Sequence, residues 1–226
     1  MRRLVLVRHG ESSWNRERRI QGQAGTGLSE LGVSQVQHAA SWLAGAYPDA
    51  AVVSSDLQRC RETVAPIAAA LGADVTFDEA LRERDFGHWS GRLLADVEAE
   101  EAERWARWTT GQDVVAEVGG EASDDLRARV VAAFERILRE TPDDGATIVV
   151  THGGPVWHGT HALLGFTHAV LGGVANASVT EIGSAGAGAP WLQCWNQVAH
   201  LPADLVTSLR PSVGRTPERA APRVGR

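Results

Sequence analysis

Leu4-Val5-Leu6-Val7-Arg8-His9-Gly10-Glu11 is the stretch whose reading decides the fold. Four apolar residues stop abruptly at a cation, an imidazole and a glycine. So short an apolar run reads as a buried strand, and buried strands belong to parallel sheets covered by helices. Its end delivers Arg8 and His9 to the carboxyl edge of the sheet, where open α/β sheets bind ligands.

The rest of the chain repeats the theme. Ala51 to Val53, Val75 to Phe77 and Thr147 to Val150 are further apolar runs. Between them lie helical stripes: Val33, Val36, Ala40 and Leu43; Leu57, Cys60, Val64, Ile67 and Leu71; Leu126, Val130, Phe134 and Ile137. Pro66 is expected to kink or restart the second of these helices. The alternation predicts an α/β fold, a three-layer αβα sandwich with a mainly parallel mixed sheet and helices on both faces. Ser178 to Ile182 and Trp191 to Trp195 read as a closing pair of strands. The glycine-rich run between them lacks the strand-then-helix context of a phosphate loop. Residues 92–122 are less regular and read as a cap-like insertion in a single domain spanning 1–209. Trp105 and Trp108 within it are read as packing residues. Residues 210–226 carry three prolines, five arginines and one glutamate, and are expected to form a disordered tail.

Composition removes several chemistries. All 22 basic residues among the 226 are arginine, so there is no lysine for a Schiff base, a Walker A loop or a kinase-type clamp. An oxyanion held by a side-chain cation must be held by arginine, which favours bidentate contacts, or by histidine. The absence is read as compositional, alongside abundant arginine, alanine, glycine and valine. A net charge of -6 disfavours nucleic acid as a partner. No stretch has the length of a membrane span, and the apolar run after Met1-Arg2-Arg3 is too short for a signal peptide. Cys60 and Cys194 fit no metal or redox spacing, so a reducing, cytoplasmic setting is expected. His158, His161 and His168 match no zinc motif, and neither metal nor cofactor is expected. Oligomeric state is not legible, and a homodimer is held open.

The chemistry gathers at strand ends. The run ending at Val150 continues Thr151-His152-Gly153-Gly154-Pro155, so His9 and His152 meet if the two strands are parallel neighbours. The glycines and proline read as a tight turn into a helix, with proline at its first position and free N–H groups for an anion. The run ending at Val53 continues Ser54-Ser55-Asp56-Leu57-Gln58-Arg59. Ser55 or Asp56 is expected to cap the next helix, with Arg59 in its first turn. Within Leu81 to Gly91, Glu83 is the natural acid, with Glu79 and Asp85 as competitors. Two arginines, two histidines and a carboxylate suit phosphoryl transfer. The arginines neutralise phosphoryl oxygens, a neutral histidine attacks, and the carboxylic acid protonates the leaving oxygen.

Arg8-His9-Gly10-Glu11-Ser12-Ser13-Trp14-Asn15 closely resembles the signature of the histidine phosphatase superfamily, phosphoglycerate mutase-like branch. Arg16 to Gly32, Ser54 to Thr63, Leu81 to Gly91 and Thr151 to Gly154 are similar to its later motifs. Asn176-Ala177-Ser178, Trp195-Asn196 and His200-Leu201 are similar to its closing strands. The resemblance covers most of the chain. It implies a phosphorylated His9, a phosphate pocket of Arg8, Arg59 and His152, and Glu83 as proton donor. Asn15, Gln21, Gln23 and Gly153 would be further contacts to a small phosphorylated substrate, and Glu11 a supporting residue.

Within the family, three features favour a phosphatase over a mutase. The stretch between Glu83 and His152 is short, the mutases' tyrosine- and lysine-containing substrate motifs are missing, and Gly120-Glu121 before Asp125-Leu126 resembles the shorter phosphatase branch. Ser12 to Asn15 is shared with mutases. Ser90, Gly25 and Ala122 depart from the branch pattern. A metal-independent phosphomonoesterase is expected. The alternatives are a cofactor-dependent phosphoglycerate mutase and a non-catalytic phospho-ligand binder.

Overall fold

Among the described residues, the strands are β1 (Arg2–Arg8), β2 (Ala51–Ser54), β3 (Val75–Phe77), β4 (Ala146–Thr151), β5 (Val179–Ser184) and β6 (Trp191–Gln197). The α-helices among them are α1 (Ser13–Arg16), α2 (Glu30–Ala46), α3 (Gln58–Leu71), α4 (Leu94–Glu100), α5 (Ala102–Thr109), α6 (Ser123–Glu140) and α7 (Gly153–Leu163). The structure, a computed structural model, describes residues 1–186 and 188–207. The expected boundary at 209 and the tail 210–226 lie outside the described residues.

The strands form one sheet in the order β3-β2-β4-β1-β5-β6. β1 to β4 are parallel, and β5 and β6 close the sheet antiparallel. β1 sits near the centre, and its side chains alternate between two cores. Val5 and Val7 join Val52, Ile148 and Val150 under α2 and α3, against Leu43, Cys60, Val64 and Ile67. Leu4 and Leu6 join Val149 and Ile182 under α6 and α7, against Leu126, Val130, Phe134 and Val156. All four β1 side chains are fully buried, each stabilising the fold by about 2 kcal/mol. The three-layer αβα sandwich expected from the sequence is the fold observed.

Four local expectations are corrected. Val33 is 49% exposed, because Gly32 takes the packing position in that turn of α2. A Cβ on Gly32 would collide with the Glu11 backbone. α3 runs through Pro66 without interruption. The carbonyl that proline leaves unpaired belongs to Glu62, an exposed residue, so water can satisfy it. Neither Ser55 nor Asp56 caps α3. Its N-cap is Leu57 with no side-chain cap bond, Asp56 is held by Arg82, and Ser55 turns towards His152. α7 begins at Gly153, which places Pro155 third in its first turn, where no N–H is needed.

Residues 92–122 build a third apolar cluster. Ile20, Trp89, Val97, Val114, Val115 and Val118 are buried there, with Phe86, Leu94, Trp105 and Trp108 packed around them. Trp108 lies edge-on to Trp105 at 5.0 Å and to Trp89 at 5.4 Å, so the tryptophan pair packs as expected. Arg84, only 5% exposed, ties this layer to the sheet. It is ion-paired with Asp113 and donates from Nε to Glu121 O at 2.8 Å. Asp113 also accepts the Ser123 N–H at 2.6 Å, at the start of α6.

Burial pushes the Asp113 carboxyl up, but the Ser123 N–H and Arg84 outweigh it and the net shift is down. A depressed carboxyl stabilises the fold fully above its ordinary value, near 3.8, and that stability is lost as pH falls through the lower folded value. Asp113→Asn is expected to lower stability at pH 7 by about 1–2 kcal/mol, moderated because water reaches the carboxylate. It should also flatten the acid side of the Tm profile. Melting curves from pH 3 to 8 check this, and an Asn variant as stable as wild type refutes it.

Candidate active site

The parallel pairing of β1 with β4 sets Arg8 opposite Thr151. The His9 N–H then donates to Thr151 O at 2.9 Å, and the His9 and His152 rings stand 5.2 Å apart. Arg59, 2% exposed, rises from the first turn of α3 between them. Its Nε lies 3.3 Å from His9 Nε2 and 3.1 Å from His152 Nδ1. Nη1 donates to Ala24 O at 2.9 Å and Nη2 to Gly22 O at 2.7 Å. The segment after α1 is thereby drawn over the sheet edge.

These contacts define the ring protons. His9 Nδ1 lies 2.7 Å from Gly10 O, and a carbonyl only accepts. Nδ1 therefore carries the proton and Nε2 presents a lone pair. Burial, then Arg59 and Arg8, hold the His9 imidazole well below its ordinary 6.5, so it is neutral at physiological pH. Burial, then Arg59 and His9, do the same to His152. Burial also draws Arg8 down to about 10, against the opposing pull of Glu83, which leaves it cationic at pH 7. Arg8 Nη1 donates to Val174 O at 2.5 Å, while its Nε is buried without a partner among the described residues. A buried N–H of this kind favours an acceptor oxygen.

Glu83 stands on the other side of the helix α7 entrance. Its Oε1 accepts the Arg84 N–H at 2.9 Å and its Oε2 the Gly154 N–H at 3.2 Å. A Cβ on Gly154 would collide with this carboxylate, whereas one on Gly153 would make ordinary contact with Arg8. The glycine the acid requires is Gly154, which the sequence reading passed over. The competitors are elsewhere: Glu79 is exposed beside Arg82, and Asp85 accepts from Gly87. Arg129 fixes the acid segment with all five guanidinium donors. Nη1 holds Ala80 O and Arg82 O, Nη2 holds Glu83 O, and Nε and Nη2 grip both oxygens of Glu121.

Asn15 and Gln21 are brought in through Ser12. The Ser12 N–H donates to Asn15 Oδ1 at 3.1 Å, and its hydroxyl lies 2.9 Å from Gln21 Oε1. Asn176 Nδ2 joins this group, donating to His9 O at 3.1 Å and to Asn15 Oδ1 at 3.3 Å. Gln23 is half-buried and is not hydrogen-bonded into the cluster. Glu11 accepts from Ser29 Oγ at 2.7 Å and is scaffolding, as expected. His161 donates from Nδ1 to Trp157 O at 2.7 Å and packs on the Trp157 ring, and no group of three or more metal-binding side chains occurs among the described residues. Besides Gly154, the sequence reading missed Ser55, Cys60, Thr63, Asn176 and Arg129. Thr63 accepts the Gly10 N–H, and Ser55 and Cys60 both abut His152 Nε2. Asn176 lay within a quoted motif, but nothing local marks Arg129.

Two neutral imidazoles, the buried Arg59, the half-buried Arg8 and a facing carboxylate define an oxyanion site at a sheet edge. The profile of the histidine phosphatase superfamily (branch 1) matches residues 4–198, and the chain belongs to that family. A bifunctional protein of Mycobacterium tuberculosis is 40% identical over 155 residues, which make up 68% of this chain and 42% of that protein. The chain thus spans under half the length of that relative. A glucosyl-3-phosphoglycerate phosphatase of Mycolicibacterium vanbaalenii is 35% identical over 226 aligned residues, covering 91% of this chain and 99% of that protein. A solved mycobacterial glucosyl-3-phosphoglycerate phosphatase in complex with inorganic phosphate superposes with a TM-score of 0.76 at 32% identity, covering 89% of this chain and 100% of that one.

Arg129→Met would strand the Glu121 carboxylate and three backbone carbonyls. A loss of about 3 kcal/mol is expected, with Arg129→Lys recovering only part of it because it offers fewer donors. Urea unfolding of the two variants measures this; equal stability of Met and wild type would refute the clamp.

Proposed function

We propose that the protein is a metal-independent phosphatase that hydrolyses a small-molecule phosphomonoester through a phosphohistidine on His9. The observation that carries the reading is the neutral His9 with its Nε2 lone pair held beside the Arg59 guanidinium. In the first step His9 Nε2 bonds to phosphorus as the bond to the leaving oxygen breaks, and Glu83 gives that oxygen its proton. In the second step the Glu83 carboxylate takes a proton from water. The water oxygen bonds to phosphorus, the P–N bond breaks, and inorganic phosphate leaves. Arg8, Arg59 and His152 neutralise or hydrogen-bond the phosphoryl oxygens throughout.

Asn15, Gln21, Gln23 and the backbone of Gly153 are the proposed further substrate contacts. The relative from Mycolicibacterium vanbaalenii makes glucosyl-3-phosphoglycerate the first substrate to try. The working unit proposed is residues 1–209, with 92–122 as its cap. No helix among the described residues is long and apolar enough to cross a membrane, and a cytoplasmic setting is proposed.

Turnover of p-nitrophenyl phosphate is expected to persist in EDTA and to vanish in His9→Ala; an active His9→Ala enzyme would sink the mechanism. Glu83→Gln should slow a poor alkyl leaving group by about 10²–10⁴ and p-nitrophenyl phosphate much less. Equal effects on both substrates would remove Glu83 as the acid.

The pH profile carries a further expectation. Because burial and the two arginines lower the His9 pKa, its nucleophile is lost only as pH falls well below 6.5. The acid limb of kcat/KM should therefore lie below an ordinary imidazole value. A limb at 6.5 that disappears when His9 is replaced and activity rescued by added imidazole would contradict this.

A further inference from the structure

We propose that Ser55 is a positioning residue that lets His152 change which ring nitrogen bears its proton, from Nε2 to Nδ1, when a phosphoryl group binds. The proposal rests on the phosphatase reading above.

A guanidinium N–H only donates, so the 3.1 Å contact with Arg59 Nε makes His152 Nδ1 an acceptor. In a neutral ring the proton then sits on Nε2. Ser55 Oγ lies 2.9 Å from that nitrogen, and Cys60 Sγ lies 3.3 Å from it. Ser55 is fully buried, and its Oγ accepts the Leu57 N–H at 3.4 Å, which leaves one lone pair and the rotatable hydroxyl proton for His152 Nε2.

Nδ1 faces the place marked out by His9 Nε2 and Arg59 Nε, where the phosphoryl group would sit. A phosphoryl oxygen is an acceptor and would meet a lone pair there. The ring can become a donor in two ways. It can gain a second proton, or its single proton can move from Nε2 to Nδ1. Burial opposes the charged ring, and the positive potential of Arg59, Arg8 and Arg129 opposes it further. The Glu83 carboxylate is engaged by the N–H groups of Arg84 and Gly154. Cys60 offers no charge, since burial pushes its thiol up to about 12.

The shift of the single proton leaves the ring's proton count and charge unchanged. It needs a partner on Nε2 that accepts before the shift and donates after it. A hydroxyl does both by rotating about one bond, which a carbonyl or carboxylate could not. Ser55 therefore keeps Nε2 satisfied in either state, and His152 reaches the phosphoryl oxygen as a neutral donor.

The test uses the whole protein with 15N-labelled histidine, with and without inorganic phosphate, so it needs no turnover. The expected spectrum shows His152 protonated at Nε2 alone without phosphate, and at Nδ1 alone with it. A ring protonated at both nitrogens in the phosphate complex, a bare Nδ1 there, or no response to phosphate overturns the proposal. In parallel, Ser55→Ala should weaken phosphate inhibition roughly tenfold at unchanged Tm, with Ser55→Thr restoring most of it. Wild-type phosphate affinity and pH profile in Ser55→Ala would also overturn it. A protein that shows the proton shift yet hydrolyses no phosphomonoester would instead overturn the phosphatase reading alone.

Discussion

A buried guanidinium obliges everything around it to supply acceptors, and Arg59 is the group about which this site is organised. Its single Nε–H is shared between the lone pairs of two imidazoles, and Nη1 and Nη2 each donate to a backbone carbonyl. That requirement turns a lone pair of each histidine towards Arg59, in agreement with the proton Gly10 O places on His9 Nδ1, and adds to the burial that keeps both rings neutral. It also sets the course of the chain between α1 and α2, since the Gly22 and Ala24 carbonyls must come down to meet it. The β1–β4 pairing brings the histidines into range, but Arg59 decides which nitrogen each presents.

The acid side is built on the same logic with a different arginine. Glu83 is on a segment without regular structure, where backbone position would otherwise be loosely held. Arg129 collects three carbonyls of that segment from the far side, and Glu121 neutralises it. Arg84 then joins the segment to the cap through Asp113. The chain has no lysine to do any of this, and these geometries need planar, multiply donating groups in any case. The absence of lysine is thus a constraint the site satisfies without strain on its chemistry.

Much of this was legible in the sequence because it depends on local pattern. The four apolar runs became β1 to β4, and the polar residues after them fell at one edge because parallel strands share a direction. His9, His152, Arg8, Arg59 and Glu83 were found for that reason. What escaped depends on distant partners. Ser55 looks like a helix cap, and only the neighbouring His152 draws it away. Arg129 looks like a surface arginine on an amphipathic helix until the Glu83 segment is folded against it. Gly154 and Gly153 are indistinguishable in the chain, and only the approach of Glu83 separates them. Pro66 and Val33 misled because a single helix pattern does not say which residues face water.

The Gly154 N–H that holds Glu83 lies two residues from His152, in the rigid first turn of α7. The spacing between His152 and the Glu83 carboxylate is consequently set by one peptide turn, braced from residues 92–122 by Glu121 and Asp113. Substitutions elsewhere in residues 92–122 can thus change the approach to the site while this spacing, written into the backbone of a single turn, is kept.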